Sequence, residues 1–296
     1  MTTRRRFLTI LAGAALLPTL ANAAASWRGI ALGANAQIIL DHPNADALIA
    51  SAVAEISRLE GLFSLHQDSQ LTRLNAAGHL ANPAPEMLEL LSICGAVNTR
   101  TGGAFDPTIQ PLWALYAESF SAGSSPSPAQ IAARTIGWQH VRFSPAQISL
   151  AKPDMALTLN GIAQGFIADK IAALFRAEGV ANVLIDTGEI MALGFAPNGA
   201  AWPVTIANSG GQIAPLSNAA IATSAPLGTI FDDAGTVGHI LDPRTGQPDG
   251  QWAQVSVTAT SAALADGLST AFCLMTQAEI HTAGKAGVLD IRTISA

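Results

Sequence analysis

The stretch GVANVLIDTGEIMALGF, Gly179 to Phe195, decides the fold class. Gly179 stops the helical pattern GFIADKIAALFRAEGV (Gly165–Val180). Two apolar runs follow at once, ANVLIDTG (Ala181–Gly188) and IMALGF (Ile190–Phe195), and each reads as a strand. Along the chain, helices and strands mix without the regular β-α alternation of a doubly wound fold. WPVTIAN (Trp202–Asn208) and VSVTAT (Val255–Thr260) add two more strands. No G-x-G-x-x-G follows a strand, so a Rossmann fold is disfavoured. The expected class is α+β: mixed, mainly antiparallel sheets packed with helices.

Three further helices are expected. ADALIASAVAEISRLEGLF (Ala45–Phe63) has Leu48, Ala52, Ile56 and Leu59 at helical spacing, with Asn44 as N-cap. PEMLELLSICGAVNTRTGG (Pro85–Gly103) has Pro near its start and Gly past its end. SAALADGLSTAFCLM (Ser261–Met275) is amphipathic through Leu264, Leu268, Ala271 and Leu274. SAGSSPSPAQ (Ser121–Gln130) reads as a loop between two lobes.

The chain of 296 residues is 49% hydrophobic and 12% charged, ample for a core and too apolar for a disordered protein. A net charge of −6 and the lack of a basic stripe argue against nucleic-acid binding. TRRRFLT (Thr3–Thr9), an apolar run to Leu17 and ANA (Ala21–Ala23) read as a twin-arginine secretory signal over residues 1–23. The expected location is therefore the periplasm, with residues 24–296 as one functional domain. The signal holds three of the 15 basic residues and no acid, which leaves 12 basic residues against 21 acidic and a mature charge of −9. Cys94 and Cys273 sit in apolar stretches and read as buried free thiols, although export would permit a disulfide.

Five stretches could carry chemistry. TLNGIAQGFIADK (Thr158–Lys170) reads as a strand end, a turn with Gly161 and Gly165, then a helix whose N-terminus suits phosphate; an ordinary strand-to-helix turn reads the same way. ADGLSTA (Ala265–Ala271) sets Asp266 and Thr270 four apart on one helix face, an oxygen pair for a hard cation or simply a polar helix edge. GHILDPRTGQP (Gly238–Pro248) puts His239 at the end of a strand beginning near Thr236, either a general base or a strand-end residue of a hairpin. TGGAFDPTIQPLW (Thr101–Trp113) is a turn that could shape a pocket. FSLHQDSQLTRLNAAG (Phe63–Gly78) reads as a polar loop in which His66 and Arg73 stand out.

Together these segments resemble the flavin transferases of the ApbE family, which use FAD to attach FMN covalently to a Thr of a partner protein. The resemblance runs in order through SQLTRLN (Ser69–Asn75), GGAFDPT (Gly102–Thr108), GIAQG (Gly161–Gly165), ATS (Ala222–Ser224), HILDPRTG (His239–Gly246) and ADGLSTA. It implies two lobes around an FAD cleft. It implies that Asp266, Thr270 and the Gly161 carbonyl hold Mg²⁺, or Mn²⁺ in its place. Ala104, Phe105 and Asp106 would line the FAD site, the turn Asn160–Gly165 would follow the pyrophosphate, and His239 would stand by the diphosphate as base or phosphate ligand. The implied partner is the flavin-accepting subunit of a membrane redox system. Twin-arginine export and the charge of −9 suit the branch linked to maturation of nitrous oxide reductase, whose target is a membrane regulator.

The departures from the pattern fall at ligand positions. Thr158 stands for the usual Asp, Gln164 for the usual Lys, His66 for an aromatic that can stack on the flavin, and Glu189 for the second Gly of a Gly-Gly pair. They motivate two alternatives to transfer: a non-catalytic flavin carrier or maturation chaperone, and hydrolysis of FAD to FMN and AMP.

Overall fold

The computed structural model describes residues 25–296. The expected signal, residues 1–23, lies outside them. The chain opens with a hairpin, β1 (Ala25–Ala31) and β2 (Ala34–Leu40), turned by Leu32 and Gly33, both at positive φ as a tight hairpin turn requires. α1 (Ala45–Phe63) follows at its expected bounds; Asn44 occupies the cap position without a side-chain cap bond. Next come α2 (Gln70–Ala77), β3 (His79–Ala81), α3 (Pro85–Arg100), α4 (Gln110–Ser121), α5 (Pro128–Ala132), β4 (Val141–Phe143) and β5 (Gln147–Leu150). The expected loop at 121–130 is the connection from α4 to α5. α6 (Ala163–Ala177) returns the chain to the main sheet through β6 (Val183–Asp186) and β7 (Ile190–Leu193). β8 (Trp202–Thr205), β9 (Ile213–Leu216), β10 (Ala219–Ser224), β11 (Trp252–Ala259), α7 (Ala262–Phe272), α8 (Gln277–Ala283) and β12 (Val288–Ser295) complete the described chain.

The main sheet has seven strands in the order β1-β2-β6-β7-β10-β11-β12, and every neighbouring pair is antiparallel. A Rossmann fold is excluded, and the α+β expectation holds. Alternation along the strands divides the buried residues between two faces. Val183, Ile185, Met191, Leu193, Val255 and Val257 join the core beneath α1, α3, α6 and α7. Leu184, Ile190, Ala192 and Ile221 pack on the other face with Trp202, Val204 and Leu216 of the β8–β9 hairpin. Both faces are covered, which is why Val183–Ile185 and Ile190–Leu193 read as unbroken apolar runs.

Three local expectations change. The stretch Phe63–Gly78 is not all loop: α2 forms inside it, because the Ser69 side chain accepts from the Thr72 N–H and the Thr72 hydroxyl accepts from the Ser69 N–H. Thr158 does not end a strand. Asn75 holds that segment extended instead, donating Nδ2–H to the Leu157 carbonyl at 2.8 Å and accepting the Leu157 N–H at 2.7 Å. Nor does a strand lead into His239; residues 225–251 form a loop with one isolated bridge, Ile230–Gly238. Asp232 folds that loop back by accepting the N–H groups of Thr236 and Val237.

Gly165 also changes role. It lies inside the first turn of α6, and a Cβ there would stand 2.2 Å from the Ala262 carbonyl oxygen. Its missing side chain lets α6 and α7 touch backbone to backbone. Gly165→Ala is expected to force the helices apart and cost about 3 kcal/mol, seen as a fall in Tm of roughly 6 °C or more. A Tm equal to the parent's would contradict this packing.

Candidate active site

α6 and α7 meet with their N-terminal turns side by side, joined by two carboxylates. Asp169, on α6, accepts the N–H groups of Ala262 and Ala263 at 2.8 and 3.0 Å and the Ser261 hydroxyl at 2.7 Å. It caps α7 across 93 residues of sequence. Asp266, on α7, accepts the Gly165 N–H of α6 at 3.1 Å. The turn expected to follow a ligand's phosphates therefore already gives one of its N–H groups to an internal carboxylate.

Asp266 and Thr270 share one face of α7, as their spacing requires. A Cβ built on Gly161 would lie 2.9 Å from the Thr270 hydroxyl oxygen, so the backbone at 161 abuts that side chain. The structure thus unites the three residues expected to hold a cation. Asp266 is only 3% exposed, and burial pushes its pKa up to about 7, aided by the charge of Asp169 and opposed by the Gly165 N–H. Asp186 is pushed up to about 6 by burial. Glu189 is raised well above the ordinary range by burial and by the charge of Asp266. Carboxylate, hydroxyl and carbonyl oxygens beside buried acid suit a hard divalent cation. Among the described residues no cluster of three or more His, Cys, Asp or Glu is arranged for a metal. A cation here would complete its shell with substrate and water oxygens, as Mg²⁺ commonly does.

Gly161→Ala is expected to displace the Thr270 hydroxyl and weaken Mg²⁺ binding about 10-fold, by analogy with lost outer-shell contacts. Calorimetric titration with MgCl₂ reads this directly. An unchanged affinity would remove Gly161 from the site.

His239 is half-buried, and its Nδ1 lies 3.1 Å from the carbonyl oxygens of both Pro226 and Thr229. Carbonyls only accept, so Nδ1 carries the proton and Nε2 keeps its lone pair. Burial holds the imidazole pKa below its ordinary value, against the opposing pull of the two carbonyls. The ring is therefore a neutral base near pH 7 with its tautomer set by the backbone. Its loop is tied down on the far side as well. The Tyr116 hydroxyl of α4 donates to the Gly246 carbonyl at 2.9 Å, and buried Asp242 holds Arg244 through its guanidinium and N–H. Asp242 and Gly246 do turn work, as expected: the Gly246 N–H donates to the Asp242 carbonyl at 2.7 Å.

The remaining expected residues divide by burial. Ala104 and Phe105 are buried, and the Phe105 carbonyl accepts from Asn98 at 2.8 Å. Asp106 is committed to the fold: Oδ1 accepts from the Thr108 N–H and hydroxyl, and Oδ2 from the Trp138 N–H at 3.0 Å. Thr158 donates its N–H to the Pro107 carbonyl, which brings it beside the Asp106 turn. Asn160 and His66 are exposed. Gln164 is 5% exposed, with an unpartnered Nε2 pressed close to Gly188. Glu189 accepts the Thr223 N–H at 3.2 Å, where the β7–β10 ladder stops at Ile190–Ile221. Cys94 and Cys273 are free and buried, and burial pushes both thiols up.

A model of the ApbE family matches residues 32–288. The chain belongs to the ApbE family. It is 28% identical over 273 residues to an FAD:protein FMN transferase of Klebsiella pneumoniae (strain 342), covering 84% of this chain and 75% of that protein. A second FAD:protein FMN transferase of that strain is 30% identical over 234 residues, covering 75% of this chain and 74% of that one. The apo form of the Pseudomonas stutzeri flavinyl transferase ApbE aligns with a TM-score of 0.80 at 26% identity, over 95% of this chain and 93% of that chain. The ApbE protein of Thermotoga maritima has the same fold, with a TM-score of 0.81 at 22% identity over 92% of this chain and 94% of that one.

Asp169 went unread in the sequence, because the atoms it caps lie on α7, far along the chain. Ser224 and Ser269 went unassigned for the same reason; ATS reads as a plain strand end until α7 is placed against it.

Proposed function

We propose that this ApbE-family chain is an Mg²⁺-dependent FAD:protein FMN transferase. It would join the FMN phosphate of FAD to a Thr hydroxyl of a partner protein and release AMP. One observation carries the reading. His239 is bonded to the Pro226 carbonyl, Pro226 lies two residues past Ser224, and Ser224 touches Thr270. A neutral base and a set of hard oxygen donors are thereby fixed on one short path, on the fold of a flavin-transferase family.

The residues divide the work simply. His239 Nε2 accepts the proton of the attacking hydroxyl, and the Pro226 and Thr229 carbonyls stabilise the resulting imidazolium at Nδ1–H. Asp266, Thr270 and the Gly161 carbonyl would hold Mg²⁺, or Mn²⁺ in its place, which when bound neutralises charge on the diphosphate oxygens. Ala104 and Phe105 offer an apolar wall, while Asn160 and His66 stand exposed where a large ligand or acceptor can reach them. The twin-arginine pattern supports work in the periplasm. The acceptor would be the flavin-bearing subunit of a membrane redox system, and the export signal together with the mature chain's charge of −9 favours a regulator of nitrous oxide reductase.

The test mixes the protein, FAD, MgCl₂ and a flavin-accepting domain, with intact-mass spectrometry as readout. An FMN adduct on the acceptor is expected. Free FMN and AMP without an adduct would replace transfer with hydrolysis. FAD retained with neither product would make the protein a flavin carrier or chaperone.

A further inference from the structure

The ATS motif ends β10 at Ser224, whose hydroxyl has so far been given no role of its own. Ser224 Oγ lies 2.8 Å from Ser269 Oγ and 3.3 Å from Thr270 Oγ1. Ser269 is fully buried, and its hydroxyl donates to the Asp266 carbonyl at 3.0 Å. Three hydroxyl groups thus form a chain that ends on a carbonyl.

With all three contacts formed as hydrogen bonds, the chain has one direction. A hydroxyl has one proton to give, and a carbonyl has none. Ser269 gives its proton to the Asp266 carbonyl, so it can only accept from Ser224. Ser224 has then given its own proton and can only accept from Thr270. The Thr270 proton is therefore turned toward β10, and its lone pairs are left for the side where the Gly161 backbone abuts it. An oxygen in that state invites a cation and offers no donor to an anion.

We infer that Ser224 is a positioning residue that sets the donor polarity of Thr270 for a divalent cation; this rests on the metal reading proposed above. Ser224 would act through the Thr270 hydroxyl. It acts by taking the one proton that a neutral hydroxyl ligand must place elsewhere when its lone pairs face a cation. Outer-shell partners of this kind set ligand orientation and affinity. The chain stays local. Removing the Ser224 hydroxyl leaves Ser269 with its carbonyl acceptor and frees only the Thr270 rotor.

The experiment titrates the metal-free full-length protein with MgCl₂ by calorimetry, without FAD, and records a thermal melt for every variant. Ser224→Ala is expected to weaken Mg²⁺ binding about 10-fold with little change in Tm. Ser224→Thr keeps a hydroxyl in place and is expected to restore the affinity. In a Thr270→Val background, Ser224→Ala is expected to have no further effect, since the oxygen it orients is gone. An equal loss in both backgrounds would overturn the inference, because Ser224 would then act on the packing and not on Thr270. Unchanged affinity in Ser224→Ala, where Asp266→Ala abolishes binding, would overturn the inference alone. Absence of any binding sensitive to Asp266→Ala would overturn the metal reading and the inference with it.

Discussion

Replacing Asp266 by Ala is expected to reduce FMN transfer at least 10³-fold, the scale of losing a preorganised charge stabiliser. Asp266 is the one carboxylate of the proposed cation-binding set, and it is buried. Burial raises its pKa to about 7, so the fold disfavours the carboxylate charge that a bound cation would stabilise. Such a charge is costly without a counterion and valuable with one. The variant loses the acceptor for the Gly165 N–H but also sheds a buried charge, so folding should survive. Asp266→Asn keeps the side-chain shape and an acceptor oxygen, and it should be nearly as inactive. Initial rates of adduct formation at saturating MgCl₂ measure both. Transfer within 10-fold of the parent in either variant would move the metal elsewhere.

His239→Ala is expected to lower kcat by 10² to 10⁴, the usual reach of a general base, with KM for FAD little changed. The pH dependence sharpens the test. Only the neutral imidazole can accept the proton, and burial holds its pKa below the ordinary 6.5. The parent rate should therefore stay level through neutral pH and fall only below that value. The variant should lose this acid limb along with its rate. The same shift affects stability. A histidine that the fold keeps neutral stabilises the folded state above the unfolded pKa of 6.5, and this contribution is lost as pH falls below it. His239→Ala should therefore flatten the acid side of the stability profile near pH 6. A variant defective only in FAD binding would make His239 a ligand contact.

Much of this protein is legible in its residues because its elements are strongly patterned. α1 is long, periodic and bounded by a turn, so its ends match expectation. Val183–Ile185 of β6 and all of β7 are apolar because helices cover one face and the β8–β9 hairpin the other. Asp266 and Thr270 share a face by spacing alone. What escaped reading depends on partners distant in sequence. α2 has eight residues, of which only Leu71 and Leu74 are buried, and its cap pairs Ser with Thr instead of the commoner Glu. Gly165 looked like a ligand-facing turn until α7 lay against it. TVGHIL alternates like a strand, but the side chain of Asp232 takes the N–H groups that a neighbouring strand would need. The carboxylate of Asp106, expected beside the flavin, is taken up by Thr108 and Trp138.

The carboxylate of Asp169, which reaches from α6 to the first turn of α7, has a consequence for biogenesis. The two halves of the proposed cation site lie about a hundred residues apart, and the docking of α6 on α7 makes them neighbours. An unfolded chain does not hold these oxygens together, so uptake of the proposed cation would depend on the docking of α6 against α7. An ion bound there would act as a seal: it binds only the assembled oxygen set, and mass action then favours the folded chain.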